Sequence, residues 1–313
     1  AAAAAAVLMA GVALATSGLW NPKLAELFGV SSQQELTDSG FVQNIGVSAA
    51  DNGVTVTAEQ LIGDANGVYI LYSIRADDPD LLSAWTFPHY QLTLDGERPK
   101  SGCRDWADPG NLFDVEKQKG TDGALYFYDL IMADEGESLS GREACIRVDY
   151  IDDMTNAMDL PFPVIWQGNI ELSWTIDYVP PEISRYEVQQ ALSWRGTEVV
   201  IESAETSAIG ICLTCSGIPT ETASYAGLGE VASVREDCLE LENALLWPVS
   251  VTLSDGTLCE LDRKGVGAVT RFGENGELRF VTLFSGQIFT ETRYPVALCY
   301  EIDGETVTVA LEN

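Results

Sequence analysis

Alternation of apolar and polar residues is the feature that most constrains the fold of this chain. Residues 170–178 read IELSWTIDY, in which five apolar residues alternate with four polar ones. A strand that is buried on one face and solvated on the other has this period of two. Shorter runs of the same kind recur at 54–56, 68–74, 91–94, 125–127, 199–201, 249–253, 278–280, 296–298 and 307–309.

Turn-forming dipeptides separate these runs. Asp-Gly or Asn-Gly pairs occur at 52–53, 66–67, 95–96, 122–123, 255–256, 275–276 and 303–304. Such pairs accept the positive φ angles of tight hairpins. After residue 20 no helical pattern is longer than a few turns. The sequence therefore predicts a mainly β protein built from antiparallel, Ig-like β-sandwiches.

The two halves of the chain contain a similar series of segments in the same order. The matching pairs are 52–57 with 195–200, 68–73 with 209–214, 92–96 with 252–256, 122–127 with 275–280, and 150–152 with 301–303. Preserved order between variable loops indicates an internal duplication. Pro180 and Pro181 form a stiff linker between the halves. We predict two tandem β-sandwich domains, the first over 41–179 and the second over 182–313.

The first 20 residues carry no charge and are weakly apolar, and the first charged residue is Lys23. A stretch of about 20 such residues matches the thickness of a bilayer core. Trp20 stands where an interfacial aromatic residue anchors a helix end. We predict a hydrophobic transmembrane helix over 1–20. The alternatives are a signal segment cleaved after the Ala13-Leu14-Ala15 motif and an Ala-rich soluble helix.

Residues 21–40 are predicted to form a short helical spacer. Leu24, Leu27 and Phe28 recur at the spacing of one helix face. The chain starts with Ala1 rather than Met, and no basic residue precedes the apolar stretch, so we expect further residues upstream. The orientation is therefore not readable from flanking charges. Both membrane interpretations place the C-terminal region outside the cytoplasm, and we predict a single-pass protein of the cell membrane.

The charge balance excludes one large class of partners. The chain has 48 acidic and 17 basic residues, which gives a net charge of -31 and a pI near 4.1. A surface this negative repels phosphate backbones, so nucleic acid is not a partner. It also repels anionic lipid headgroups, so the bilayer is contacted only through residues 1–20.

His89 is the only histidine in the chain. Any Ser-His-Asp or Cys-His catalytic group would have to use it, and a zinc site with two imidazoles cannot form within one chain. His89 lies in the aromatic segment 85–90, WTFPHY, which either lines a ligand groove or fills the space beneath a loop. We favour the second interpretation. Core or inter-domain packing is expected for Trp106, Trp166, Trp174, Trp194 and Trp247.

The odd number of cysteines, seven, cannot pair completely within one chain outside the cytoplasm. Cys212 and Cys215 form a CxxC pair, but no second pair completes a zinc site, and the pair lies in a predicted strand instead of opening a helix. We interpret Cys145, Cys212 and Cys299 as small core residues. A disulfide between loop cysteines, such as Cys103 with Cys238, stays open.

Three acidic clusters lack the alternating spacing of a calcium loop. We interpret them as solvated negative surface, and weak calcium binding between loops stays open. No pair of carboxylates stands out for glycoside hydrolysis, and no glycine-rich phosphate loop is present. The sequence thus predicts no catalytic, cofactor-binding or metal-binding residues. The clusters consist of Asp77, Asp78 and Asp80; Asp134, Glu135 and Glu137; and Asp149, Asp152 and Asp153.

One succession of segments resembles a known family: 21–28 (NPKLAELF), 41–45 (FVQNI), 47–56 (VSAADNGVTV) and 68–74 (VYILYSI). It is similar to an uncharacterised ectodomain family of Gram-positive bacteria, whose members follow a single transmembrane helix. The resemblance implies a second, related β-domain that begins near Tyr186. Some members are anti-sigma-factor-like and sit beside extracytoplasmic-function sigma factors. The resemblance supplies no catalytic residue, and the sigma-binding part that it implies would be cytoplasmic and precede Ala1.

These observations predict a non-enzymatic, membrane-tethered, extracytoplasmic sensing or interaction protein that contacts a protein or an envelope component and needs no cofactor. The resemblance adds a sigma factor as a partner of the cytoplasmic segment. The first alternative is an adhesin or envelope-structural β-module. The second is a carboxylate-dependent extracellular hydrolase.

Overall fold

The computed structural model describes residues 40–82, 86–99, 102–106, 123–133, 137–153, 161–180, 182–207, 210–217, 248–260, 268–272, 278–283 and 293–312. The protein is mainly β, with several antiparallel sheets. Across these ranges, no helix has the length and apolar character needed to cross a membrane. The predicted transmembrane helix over 1–20 and nearly all of the spacer over 21–40 lie outside the described residues.

The N-terminal half contains two sheets. One has the strand order β1-β2-β3-β6-β5 and the other β4-β7-β8, with antiparallel neighbours throughout. The strands are β1 Val42–Asp51, β2 Val54–Gly63, β3 Gly67–Ala76, β4 Thr86–Leu94, β5 Gly102–Trp106, β6 Leu125–Met132, β7 Glu143–Asp153 and β8 Val164–Thr175.

A single apolar core lies between these two sheets. It takes alternate residues from strands of both sheets, such as Val56 and Ile70 from one sheet and Ile146 and Ile170 from the other. Alternation along a strand sends every second side chain to the same face, which explains why short apolar runs suffice to build this core. At one edge, Gln43 closes the gap between the sheets by donating from Nε2 to the carbonyl oxygen of Thr175 at 2.9 Å.

The C-terminal half also contains two sheets, with strand orders β14-β15-β11-β10-β9 and β13-β12-β16-β17. Its core is a separate cluster drawn from residues 186–311, whereas the first core is drawn from residues 54–178. The strands are β9 Ser184–Trp194, β10 Thr197–Thr206, β11 Gly210–Ser216, β12 Ser250–Leu253, β13 Leu258–Glu260, β14 Ala268–Phe272, β15 Leu278–Leu283, β16 Pro295–Ile302 and β17 Glu305–Ala310.

The two halves share one strand topology. The order β1-β2-β3-β6-β5 corresponds to β9-β10-β11-β15-β14, and β4-β7-β8 corresponds to β12-β16-β17, with β13 added at an edge. The segment pairs that matched in the sequence fall on or beside corresponding strands. Corresponding hairpins share their backbone geometry: φ is 48° at Asn52 and 76° at Gly53, and 47° at Arg195 and 83° at Gly196. Positive φ at both central residues is the type I′ turn of tight hairpins.

An irregularity in the ladder is repeated as well. One extra residue interrupts the pairing of β2 with β3 at Glu59, and the pairing of β10 with β11 at Glu202. A β-bulge of this kind bends a strand and increases its twist. Its recurrence at the corresponding place strengthens the structural likeness of the halves.

One expectation needs correction. The strand expected over 170–178 is β8, which begins six residues earlier at Val164 and ends at Thr175. Of the segment WTFPHY, residues 86–90 belong to strand β4, and Trp85 lies outside the described residues. Tyr90 points into the core, while His89 is part of the opposite face.

Candidate functional site

Strands β4 and β7 bring three side chains together on the outer face of the three-stranded sheet. His89 lies directly opposite Tyr150 in the ladder, and their rings stack with centroids 4.1 Å apart and planes at 16°. His89 Nε2 is 2.7 Å from Asp152 Oδ2. The side chain of His89 is 35 % exposed and that of Asp152 only 9 %. We call His89, Tyr150 and Asp152 the His89 cluster.

The strand positions explain this arrangement. Tyr90 and Ile151 face the core, so their neighbours His89, Tyr150 and Asp152 point outward. In the described sheet, β4 pairs only with β7 and is therefore an edge strand. Pro88 fits there because an edge strand loses no ladder bond to the missing N–H.

The His89 cluster holds an imidazole in a fixed orientation beside a carboxylate. A carboxylate that binds one ring nitrogen fixes the tautomer and the orientation of the ring. Asp152 Oδ1 is buried and has no hydrogen-bond partner among the described residues. The cluster can therefore present an oriented imidazole to a polar group at the edge of the sheet. The part of the chain that the structure describes contains no group of three His, Cys, Asp or Glu side chains that could hold a metal ion.

The structure corrects the interpretation of one acidic cluster as solvated surface. Asp152 was expected on a solvated surface, but it is buried, because the His89 imidazole covers and binds it. Asp77, Asp78 and Asp80 are exposed, as expected. Asp134 and Glu135 lie outside the described residues, and Glu137 is exposed.

The CxxC pair consists of two buried cysteines in strand β11, neither of which forms a disulfide. Positions three apart in a strand point to opposite faces, so Cys212 and Cys215 cannot bind one ion together. Cys215 lies in the core, and burial, with Cys212 and Glu202 nearby, raises the pKa of its thiol to about 12. Such a thiol is unreactive at neutral pH, because the thiolate is the nucleophile.

Two of the three cysteines expected in the core are buried. Cys212 is 1 % and Cys299 is 5 % exposed, although neither belongs to the main apolar cluster of the C-terminal half. Cys145 is only half-buried, because the core-facing positions beside it are Ala144 and Ile146. The side chain of Cys103 and the whole of Cys238 lie outside the description, as do the side chains of Trp106, Trp194 and Trp247. Trp166 and Trp174 are in the core, as expected.

A second polar site lies between the two halves, where the sequence gave no indication of one. Asp64, in the turn between β2 and β3, is 1 % exposed. Its Oδ1 accepts hydrogen bonds from the backbone N–H groups of Asn66 at 2.7 Å and Gly67 at 2.9 Å. Its Oδ2 accepts the hydroxyl of Ser207, from the turn between β10 and β11. Its carbonyl oxygen accepts the Tyr178 hydroxyl at 2.8 Å. We call Asp64, Tyr178 and Ser207 the junction.

Burial governs the electrostatics of the junction. It raises the pKa of the Asp64 carboxyl, which the hydrogen bonds from Ser207, Asn66 and Gly67 partly offset. The nearby charge of Glu205 acts in the same direction as burial. Burial, together with the charge of Asp64, also raises the pKa of the Tyr178 phenol. The Asn66-Gly67 pair predicted the turn, but no local pattern marks its aspartate as buried, because Ser207 lies in the other half.

Comparison with known proteins gives one family match. Residues 1–76, which end with strand β3, match the model of a domain of unknown function, DUF4179. The match supports the coarser part of the resemblance, namely similarity to an uncharacterised family. No curated protein matches the chain.

Two of the solved structures that match the chain show how limited the similarity is. The conserved domain protein from Bacillus anthracis has 12 % identity and a TM-score of 0.46, over 86 % of this chain and 85 % of that chain. The C-terminal domain of the Streptococcus agalactiae AgI/II polypeptide BspA has 9 % identity and a TM-score of 0.13, over 84 % of this chain and 96 % of that chain.

Proposed function

We propose that this chain is a non-enzymatic, membrane-tethered protein whose two Ig-like β-sandwich domains, over 41–179 and 182–313, contact an extracytoplasmic protein or envelope component. One observation carries the proposal: two halves with the same strand topology and separate cores are joined in tandem. Cell-surface proteins commonly present binding surfaces on sandwiches of this type. The support is therefore architectural and names no ligand.

The tether in this proposal is the apolar segment over 1–20. Its length and lack of charge suit a bilayer core. The family match runs from this segment into strands β1 to β3, so the segment and the first strands belong to one family pattern. The anti-sigma-factor-like form of the proposal adds a cytoplasmic segment before Ala1 that binds a sigma factor.

The charge of the chain suggests the chemistry of the partner surface. With a net charge of -31, the protein attracts basic surfaces over a distance of about 8–10 Å at physiological salt. Complementary charge raises association rates and selects partners more than it raises affinity. We expect a partner with a basic contact surface and an association rate that falls as salt is added.

Site-specific photo-crosslinking in native cells tests this function. A photoreactive phenylalanine would replace Val164 in the N-terminal half or Leu258 in the C-terminal half, since these apolar side chains are 55 % and 59 % exposed. The full gene product would be purified through a C-terminal tag after irradiation. The matched control carries the same probe and tag but lacks residues 1–20, which confines it to the cytoplasm under the proposal.

The proposal expects adducts with an envelope component that disappear in the control. A sigma factor recovered only when upstream residues are present would support the anti-sigma-factor-like form. Adducts found only on other cells or surfaces would favour the adhesin. A tagged chain that keeps residues 1–20 yet accumulates in the cytoplasm would contradict the proposal.

A further inference from the structure

Corresponding turns of the two halves meet at the junction. Asp64 opens the turn between β2 and β3, and Ser207 opens the turn between the corresponding strands β10 and β11. Each residue closes its own turn, since the N–H of Asp64 donates to Gly67 O at 2.8 Å and the N–H of Ser207 donates to Gly210 O at 2.9 Å. Each also reaches the other turn through the bond from Ser207 Oγ to Asp64 Oδ2.

Corresponding edges of the large sheets also meet. Strand β14 approaches β5, its counterpart in the N-terminal half, and the neighbouring strand β6. Two contacts between corresponding elements, turn with turn and edge with edge, are the pattern of an isologous interface, in which the same patch is used on both sides. The halves therefore pack with approximate two-fold symmetry.

The chain that leaves the N-terminal half is fixed at the same place. The Tyr178 hydroxyl donates to the carbonyl oxygen of Asp64. The Tyr178 ring lies so close to Gly63 that a Cβ atom there would be 2.9 Å from it. Next along the chain, the N–H of Val179 donates to Gly40 O at 2.8 Å. The approach to Pro180 is thus held by the body of the N-terminal half.

The buried carboxylate makes this packing specific. A buried charge is tolerated when hydrogen bonds satisfy it, and a satisfied polar network favours one arrangement over its alternatives. Asp64 receives two of its bonds from its own turn, but the third comes from Ser207 across the interface. A rotation of one half would leave Asp64 Oδ2 buried without this donor.

We propose that the junction locks the two halves in one orientation, so that they open and move as a single cooperative body rather than as two domains on a hinge at Pro180 and Pro181. Independent motion is the usual expectation for linked domains with a polar interface. Under this proposal the chain behaves in the opposite way, and its two domains form one rigid unit.

Native-state hydrogen exchange on the full chain, in mild detergent, tests the lock. The reporters are amides of β2 and β10, one strand from each half, under conditions where exchange measures the opening equilibrium. Ser73→Ala serves as the perturbation, because the buried Ser73 hydroxyl donates to Glu59, a partner within the N-terminal half. It matches Ser207→Ala, which removes a buried serine bond to a carboxylate across the interface.

In the otherwise unaltered chain, Ser73→Ala should lower protection in β2 and β10 by the same factor, about 10- to 150-fold for one lost hydrogen bond to a charged group. In the Ser207→Ala background, the same change should lower protection in β2 only. A loss confined to β2 in the otherwise unaltered chain would overturn the proposal, even if Ser207→Ala failed to fold. Coupling that persists in the Ser207→Ala background would overturn the role of the junction.

Discussion

Three of the aspartates that the structure describes are buried, and each relies on a different hydrogen-bond donor. Asp64 relies on its own turn and on Ser207, Asp129 accepts the Tyr90 hydroxyl at 2.8 Å in the first core, and Asp152 pairs with His89. Burial of a carboxylate is unfavourable unless donors replace the water it loses. At the residue scale, we therefore expect the partners of these aspartates to be sensitive to substitution.

For the His89 cluster, we predict that His89→Phe lowers the free energy of unfolding by about 1.5–3 kcal/mol, the contribution of a hydrogen bond to a charged group. Phenylalanine keeps a ring to stack on Tyr150 but leaves the buried Asp152 carboxylate without its donor. Urea denaturation measures the change. In an Asp152→Asn background the same substitution should have a smaller effect, and equal effects in both backgrounds would show that the two residues are not coupled.

For the junction, we predict that Asp64→Asn changes how stability depends on pH. Because burial raises the pKa of Asp64, the native state holds this proton more tightly than the unfolded chain does. The free energy of unfolding of the wild type therefore falls as the pH rises from about 4, where an unfolded aspartate titrates, through the native pKa. Asparagine keeps the acceptor for the turn and has no charge to bury. The free energy of unfolding of the variant should therefore rise relative to that of the wild type as the pH increases across that range.

Urea titrations at several pH values measure this difference, and Asp95→Asn is the control of opposite sign. Hydrogen bonds from Arg142 and from the backbone of Glu143 lower the pKa of Asp95. The contribution of Asp95 to the free energy of unfolding is present above the pKa of an unfolded aspartate and is lost as the pH falls through the native pKa. A pH-independent difference between wild type and Asp64→Asn would contradict the raised pKa of the buried Asp64 carboxyl.

At the scale of elements, the sequence predicts a strand well where alternation is unbroken. The run over 170–178 identified β8, and short runs identified β2, β3, β6, β10 and β16. The sequence did not predict the longer strands β1, β7 and β9. Each of them has a shift of register, which lies between Asn44 and Val47 in β1, between Val148 and Tyr150 in β7, and opposite the bulge of β10 in β9. A bulge moves the pattern to the other face, which disrupts the period of two.

The candidate sites were less predictable than the strands. His89 was notable as the only histidine, but its partner Asp152 belonged to a cluster that resembled solvated surface. Pairing between β4 and β7 brings them together, and pairing of distant strands depends on long-range packing. Ser207 and Asp64 are further apart still, in different halves, and only the repeat of the strand topology relates their positions.

Along strand β8, we predict opposite sensitivities at neighbouring positions. Ile170 is 1 % exposed in the first core, so Ile170→Ala should lower the free energy of unfolding by about 2–5 kcal/mol through the cavity it leaves. Glu171 is exposed on the other face, so Glu171→Ala should change it by less than about 0.5 kcal/mol. Chemical denaturation of the two variants measures both values. Similar losses at both positions would mean that the outer face of β8 is also packed.

At the scale of the whole molecule, two similar halves share one topology, keep separate cores and meet through corresponding turns and edges. Separate cores alone would let each half unfold by itself. The junction opposes this by placing a buried carboxylate of one half under a donor of the other.

Differential scanning calorimetry of the full chain, in mild detergent, tests this central claim most directly. If the two halves form one cooperative body, the protein should unfold in a single transition whose calorimetric enthalpy equals the van't Hoff enthalpy. Ser207→Ala should split or broaden that transition, while Ser73→Ala should shift it without splitting it. Two transitions in the unaltered protein, or a calorimetric enthalpy about twice the van't Hoff value, would show that the halves unfold independently and would contradict the account.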